Sequence, residues 1–373
     1  MSAYGGLKIL VIGGRRPPEP FLERLFRGLA DRGERLWLAG TADPGLDHEA
    51  VRGLVPPSRG RLADWRRRLG LDTPDRDTDF YLQAGFDLVY FPWNSPAVEH
   101  LDLMRAMPSL VSCRGSQILI APHQPGREAL AASFPPMFEA ATAVHCVSRD
   151  ILQASLELGL AEDKARVITP AVDGAFFCPS AAPRDPSTLE ILSVGALLWR
   201  KGFEDALVAM GRLRDQGVAF CYHLVGGGPD LQRLRFTVSD LELEGRVHLH
   251  GPKAPHEVRD LMQRCHVFLL SSVCEGIANV VLEAMACGMA VVSTRCGGME
   301  EAVEDGVEGL LVPARDPEAM ADAVATLQDV ELRRKLGRAG RRRVERDFRL
   351  EDQVEAFQSL CHDVASRRIT KTR

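Results

Sequence analysis

Short apolar runs that end on glycine, each followed by a helical run, recur twice along this chain, and that alternation leaves few folds open. Leu7 to Ile12 run into Gly13-Gly14. From Phe21 to Arg32 apolar residues return at intervals of three and four, Gly33 stops the run, and Leu36-Trp37-Leu38-Ala39 follows. Strand, helix and strand in that order make a βαβ unit with a parallel sheet. Gly13-Gly14 then stand at the carboxyl end of a strand, where open α/β sheets hold ligands. Gly-x-Gly-x-x-Gly is absent there, so this is no dinucleotide fingerprint.

Asp87 to Pro92, Pro108 to Ser112 and Arg166 to Pro170 read as further strands, with helices over Leu101–Met107 and Asp150–Leu158. Pro179 to Ser187 holds three prolines and no period, and is the best linker in the chain. A second series follows. Strands at Leu189–Gly195, Ala219–Val225, Val247–Gly251, His266–Leu270 and Ala290–Ser293 alternate with helices at Phe203–Asp215, Leu231–Leu241 and His256–Cys265. The expectation is two Rossmann-like parallel-sheet domains, residues 1–178 and 187–350, facing across a cleft, with residues 351–373 as a C-terminal helix.

A chain of 373 residues exceeds what one core usually supports, in keeping with two domains. A net charge of −5 argues against a nucleic-acid partner. Nine scattered cysteines without a Cys-x-x-Cys pair read as reduced core residues, and neither a signal pattern nor a membrane-length apolar run is present, so the expected location is cytoplasmic. Residues 51–69 carry Arg52, Arg59, Arg61, Arg66, Arg67 and Arg68 against Asp64, with Leu62, Trp65 and Leu69 on one helical face. Such a segment suits peripheral contact with an anionic membrane; the alternative is a solvated helix. Asp75-Arg76-Asp77-Thr78-Asp79 fails as a calcium loop, because Phe80 stands where glycine is needed, and reads as a polar loop. Arg341-Arg342-Arg343 reads as a solvated helix face.

The stretch Glu275 to Gly288 is the richest in chemistry. A carboxylate and a glycine open it, Asn279 is positioned to cap a helix, and Gly288 to stop it. Glu283 lies one turn inside. A helix start suits a phosphate, and carboxylates beside it can accept hydrogen bonds from sugar hydroxyls.

The second half resembles the donor domain of family 4 retaining glycosyltransferases with the GT-B fold. The resemblance rests on Val194-Gly195 with Lys201-Gly202, Leu224 to Pro229, Glu275-Gly276 with Asn279 and Glu283 to Gly288, Gly297-Gly298-Met299-Glu300-Glu301, and Asp305 to Val312, in the family's order. The two glutamates have seven residues between them, as in the family signature. Gly13-Gly14, the Ser148 region and Ala171-Val172-Asp173 carry it more loosely in the first half. The resemblance implies that Lys201 binds the donor diphosphate, Glu275 the transferred sugar and Glu283 the ribose. Backbone from Gly276 through Ile277, Ala278 and Asn279 to Val280 would hold the diphosphate. Gly195, Arg200 and Gly226 would line the donor site, and Gly251 and Lys253 would meet the base. It implies no metal and no cofactor beyond the nucleotide sugar as co-substrate, and it implies that the helix in residues 351–373 returns to the N-terminal domain.

Two positions depart from the family. Ala196 stands where an arginine usually follows the glycine, and Arg114-Gly115-Ser116-Gln117 replaces His-Gly-x-Asp. Arg114 cannot act as a base but can bind phosphate or carboxylate. His123 is the nearby imidazole. Gly13, Gly14, Arg114 and His123 are therefore the expected acceptor-binding residues, with Arg114 beside Lys201 and Glu275 in the catalytic set. The expected activity is retaining, metal-independent transfer from a nucleoside diphosphate sugar to a glycan, lipid-linked or small-molecule acceptor in cell-surface polysaccharide biosynthesis. The alternatives are a catalytically silent sugar-nucleotide-binding protein and a nucleotide-sugar epimerase.

Overall fold

The computed structural model describes residues 6–14, 18–56, 76–181 and 188–367. Residues 57–69 of the basic segment lie outside the described residues, as does Asp75. Strands in chain order are β1 Lys8–Val11, β2 Arg35–Ala39, β3 Val51–Leu54, β4 Leu88–Phe91, β5 Ser109–Cys113, β6 Ala143–Cys146, β7 Ala165–Val167, β8 Leu189–Val194, β9 Phe220–Val225, β10 Val247–Gly251, β11 Val267–Leu270, β12 Ala290–Thr294 and β13 Gly309–Val312. They form two sheets, ordered β3-β2-β1-β4-β5-β6-β7 and β10-β9-β8-β11-β12-β13. Neighbours pair in parallel throughout. Each order runs outward from its first strand and then reverses, which is the doubly wound pattern.

The chain falls into two compact units. One takes the chain up to Val147, then Leu152–Ile168 and the chain from Val354; the other takes Ser148–Ile151 and Thr169–Gln353. The division therefore lies at Ile168/Thr169, before the proline-rich segment. In the second unit the Glu301 carboxylate accepts the backbone N–H groups of Arg149 (2.9 Å) and Asp150 (3.2 Å).

The second sheet is covered on both faces, which explains its continuous apolar strands. In β11, Val267 and Leu269 join one core cluster with Ile191, Phe203 and Tyr222, while Phe268 and Leu270 join the other with Leu192, Val281 and Met285. Helix Phe203–Asp215 forms as its apolar period requires, with its buried face on Phe203, Ala206, Leu207, Met210 and Leu213.

In the first unit, helix Pro20–Asp31 buries Leu22, Leu25, Phe26 and Leu29. The last helix, Leu350–Ser366, brings Phe357 edge-on to Tyr90 (5.1 Å) and to the His145 ring (5.3 Å). A polar cluster anchors it. Glu34 is fully buried and accepts from Gln358 Nε2 (2.6 Å) and Leu7 N (2.6 Å), with His362 Nε2 at 2.9 Å. One element differs from the sequence reading. Arg76–Gln83 is a helix rather than a polar loop, because Tyr81 has an apolar site to fill. Helix Glu128–Ala140 runs through Pro135 and Pro136, where the missing N–H groups signal a break; burial of Phe134, Met137 and Phe138 outweighs them. Among the described residues no helix is long and apolar enough to cross a membrane.

Removing the buried Glu34 carboxylate leaves Leu7 N–H, Gln358 Nε2 and His362 Nε2 without their common partner. Glu34→Ala is expected to lower the unfolding free energy by about 3 kcal/mol, measured by urea denaturation.

Candidate functional site

Lys201 and Glu275 reach each other because β8 and β11 are neighbours at the point where the strand order reverses. The chain leaves β8 through Gly195, makes the 3-10 turn Trp199–Lys201, and enters helix Phe203–Asp215. Glu275 stands in the loop between β11 and helix Asn279–Ala286. The Lys201 ammonium pairs with Glu275 Oε1, and the Ser272 hydroxyl donates to the same oxygen at 2.8 Å. These side chains are only 16% and 12% exposed, so the pair is largely shielded from water and salt. The two loops are also laced through the backbone. Ser271 Oγ donates to Lys201 O and Val273 N–H to Arg200 O, both at 2.8 Å. A third loop closes beneath: Gly297 has φ 53°, and a Cβ there would stand 1.8 Å from the Glu275 carbonyl oxygen.

Helix Asn279–Ala286 begins one residue earlier than its sequence suggests. Ala278, with extended backbone, is the capping position, and Asn279 is already helical. Two contacts fix this: the Ala278 N–H is held by Met299 Sδ (3.4 Å) and its carbonyl takes Val281 N–H (3.0 Å). No side chain caps this end, so the first-turn N–H groups from Asn279 and Val280 are not met by a capping side chain. Glu283 sits one turn inside and is buried.

At the other end Gly288 stops the helix with φ 69°, and Arg341 crosses beneath it. Arg341 Nη1 donates to Ala286 O (2.8 Å), Phe177 O (2.9 Å) and Gly174 O (3.2 Å). A cation there also suits the helix dipole. Arg343 Nη2 donates to Glu301 O at 3.2 Å. The arginine run is thus no simple solvated face: Arg341 and Arg343 are clamps on backbone carbonyls. Nothing in the sequence marks Arg341 for this, because its partners lie far away along the chain. The arginine-rich helix Val330–Asp347 comes this close because Gly337 has no side chain; a Cβ there would lie 2.4 Å from Gly288 O.

Strand ends line up beside the pair. Gly195 N–H donates to Val225 O (2.9 Å), Leu197 N–H to Gly227 O (2.9 Å) and Gly226 N–H to Gly251 O (3.0 Å). Lys253 is paired with Glu257 at 3.0 Å. Ala196 is exposed at the same edge. Cys274 and Cys296 are held up at about 12 and about 11, first by burial, so neither thiol is a nucleophile near neutral pH.

In the first unit Gly13 and Gly14 follow β1, next to residues outside the described set. His123 is exposed in the turn Ala121–His123. Arg114 stands just beyond β5, its guanidinium 4.8 Å from the Phe21 ring and 5.8 Å from that of Trp93, with Nε donating to Pro92 O at 3.2 Å. Behind it lies a buried chain that the sequence reading missed: Tyr90 OH to Ser112 Oγ (3.0 Å), Ser112 Oγ to His145 Nδ1 (2.8 Å), and His145 Nε2 to Ile168 O (2.8 Å). The Nε2–H donates to the carbonyl, so Nδ1 is the acceptor of the neutral ring. Burial above all, and then the Arg114 charge, push His145 down to about 3.

Two doubly wound parallel sheets in succession define the GT-B fold. HepE of Anabaena, solved in complex with UDP and glucose, aligns with a TM-score of 0.79 at 18% identity, over 96% of this chain and all of that one. Residues 19–176 match the family described as Glycosyltransferase Family 4, and residues 180–343 match Glycosyl transferases group 1. The chain belongs to the family 4 type of glycosyltransferases. WcaL of Escherichia coli K12, named for colanic acid biosynthesis, is 38% identical over 201 residues, 52% of this chain and 49% of WcaL. The amylovoran biosynthesis glycosyltransferase AmsK of Erwinia amylovora is 36% identical over 149 residues, 38% and 37% of the two chains. The matched region spans about half the length of these relatives or less.

His145 gives the first unit a pH dependence. Its folded pKa is depressed, so between about pH 6.5 and 3 the unfolded chain binds the extra proton; the stabilisation is complete above 6.5 and is lost as pH falls. From pH 6.5 to 5 the protein is expected to lose up to about 1.4 kcal/mol per pH unit more than His145→Gln does, read from urea unfolding across that range.

Proposed function

We propose that this protein moves a sugar, with retention of anomeric configuration, from a nucleoside diphosphate onto a glycan or lipid-linked acceptor during polysaccharide assembly. The observation that carries the reading is the shielded Lys201–Glu275 pair beside the start of helix Asn279–Ala286. Lys201 supplies the positive charge that a departing diphosphate needs, in place of a divalent metal. Glu275 holds Lys201 in position and accepts hydrogen bonds from hydroxyls of the transferred sugar. The N–H groups at the helix start take the phosphates, with Gly276, Ile277, Ala278, Asn279 and Val280 close against the donor. Glu283 receives the ribose, and the row of Gly195, Gly226 and Gly251 leaves room for the nucleoside, with Arg200 and Lys253 at its margin.

The second unit is then the donor side. The first unit, with Gly13, Gly14, Arg114 and His123, is the acceptor side. A guanidinium at Arg114 serves to hold an anionic acceptor rather than to remove a proton. In a front-face reaction the leaving phosphate oxygen takes that proton. Support for a sugar-nucleotide donor comes from HepE, solved with UDP and glucose on the same fold, and support for an exopolysaccharide role from the names of WcaL and AmsK.

UDP-sugars are the first donors to test. Glu275→Gln and Lys201→Ala are each expected to lower kcat/KM about 10²–10³-fold, with unchanged circular dichroism. Wild-type turnover in both would remove the proposed roles. Turnover should persist in EDTA, and NMR of the early product should show the donor's anomeric configuration; an inverted product would refute retention.

Ala196 offers a gain-of-binding test, since it is exposed at the edge where relatives of this type carry a phosphate-binding arginine. Ala196→Arg is expected to tighten UDP binding about tenfold or more by calorimetry, the worth of one charge-assisted contact.

A further inference from the structure

One polar cluster of the second unit takes no part in the site described above. Glu190 is the second residue of β8 and Cys221 the second of β9, and the two stand opposite each other in register. His223, two residues on, points to the same face as Cys221 by the alternation of a strand. That face is half-bare: Cys221 and His223 are partly exposed, whereas Phe220, Tyr222 and Leu224 on the opposite face are buried. The Glu190 Oε2 to His223 Nε2 distance is 2.6 Å, the Cys221 Sγ to His223 Nε2 distance is 3.5 Å, and the three donor atoms all lie within 4.8 Å of one another. On β10, the edge strand, His250 Nε2 lies 2.9 Å from His223 Nδ1, and His248 stacks on the His223 ring at 5.4 Å.

We propose that Glu190, Cys221 and His223 form a binding site for a borderline-soft divalent ion, zinc foremost, with His250 as the positioning residue for His223. The donor set is one carboxylate oxygen, one thiol sulfur and one imidazole nitrogen, the mixture that zinc takes at about 2.0–2.3 Å. Tetrahedral ligands at those lengths stand roughly 3.3–3.7 Å apart, so the Cys221–His223 spacing already fits and Glu190 needs only a small rotation. Calcium and magnesium, which take oxygen ligands, are excluded by the sulfur and nitrogen. His250 completes the arrangement usual for a ligating histidine: the remote ring nitrogen, Nδ1–H, donates to a fixed acceptor, which sets the tautomer and turns Nε2 toward the ion. The fourth position opens to solvent on the half-exposed face and is filled by water.

The proton balance is simple. On binding, the ion displaces the Cys221 thiol proton, which leaves to solvent, while the neutral His223 ring keeps its single proton on Nδ1, facing His250 Nε2. The site bridges β8 and β9 directly, and β10 through His250. It lies in the amino-terminal part of the first two strands, whereas Lys201 and Glu275 stand in loops beyond the carboxyl ends of β8 and β11. It is therefore expected to fasten the edge of the sheet rather than to enter the reaction. The sequence shows the pattern only in retrospect: Cys221-x-His223 and His248-x-His250 each alternate onto one face of adjacent strands.

The full chain, stripped with EDTA and returned to metal-free buffer, is titrated with Co²⁺ and followed by near-ultraviolet and visible absorption, with competition by Zn²⁺. The expected result is one ion per chain, a thiolate-to-cobalt charge-transfer band, and displacement by one equivalent of zinc. Cys221→Ser should abolish the band, and Cys178→Ser, which changes the other half-exposed cysteine, should keep it. His250→Ala should retain the band but weaken binding about 10–100-fold. Zinc should also raise the melting temperature of the wild type and not of Cys221→Ser. Melting curves recorded in EDTA establish that each variant folds. Less than one ion bound, or a band that survives Cys221→Ser, overturns the proposal.

Discussion

The reversal of strand order between β8 and β11 is the constraint on which the rest of the second unit depends. Parallel strands joined by right-handed crossovers must send successive loops out of the same end of the sheet, and on either side of the reversal those loops diverge in sequence but touch in space. The loop after β8 carries Lys201 and the loop after β11 carries Glu275. Placing an ammonium and a carboxylate together in a poorly hydrated spot is costly unless each compensates the other and the hydrogen bonds are completed. Ser272 on Glu275, and the two backbone links between the loops, complete them.

That pair is useful only if the helix beside it is fixed, and the fixing comes from a distance. Arg341 ties the last carbonyl of helix Asn279–Ala286 to Gly174 and Phe177, while Gly337 lets the arginine-rich helix approach the turn at Gly288. Gly297 lets a third loop pass under Glu275. The helix start is left with backbone N–H groups that no side chain caps.

The first unit uses a different economy. Its strand ends carry Arg114 on an aromatic shelf of Phe21 and Trp93, and the sheet behind it holds a neutral, fully hydrogen-bonded histidine. Burial first, and then the Arg114 charge, disfavour the imidazolium, so a half-buried cation stands above a group that stays uncharged. The last helix closes this unit through Phe357 and through the Glu34 cluster.

By itself the sequence determined the two alternations of strand and helix and the family, because these are written in local periods and ordered motifs. It also determined that helix Asn279–Ala286 stops at Gly288, since a positive φ there favours glycine. The tertiary structure decided what depends on distant partners. It placed the helix cap at Ala278 rather than Asn279, because Met299 holds the Ala278 N–H. It made a helix of Arg76–Gln83 and carried another through Pro135-Pro136, because buried apolar side chains outweigh local breakers. It turned Arg341 from a surface charge into a clamp, and it gathered Glu190, Cys221, His223 and His250 from three strands onto one face. A side chain's neighbours along the chain fix its local geometry; its charge partners are fixed by sheet register and helix packing, which no local window contains.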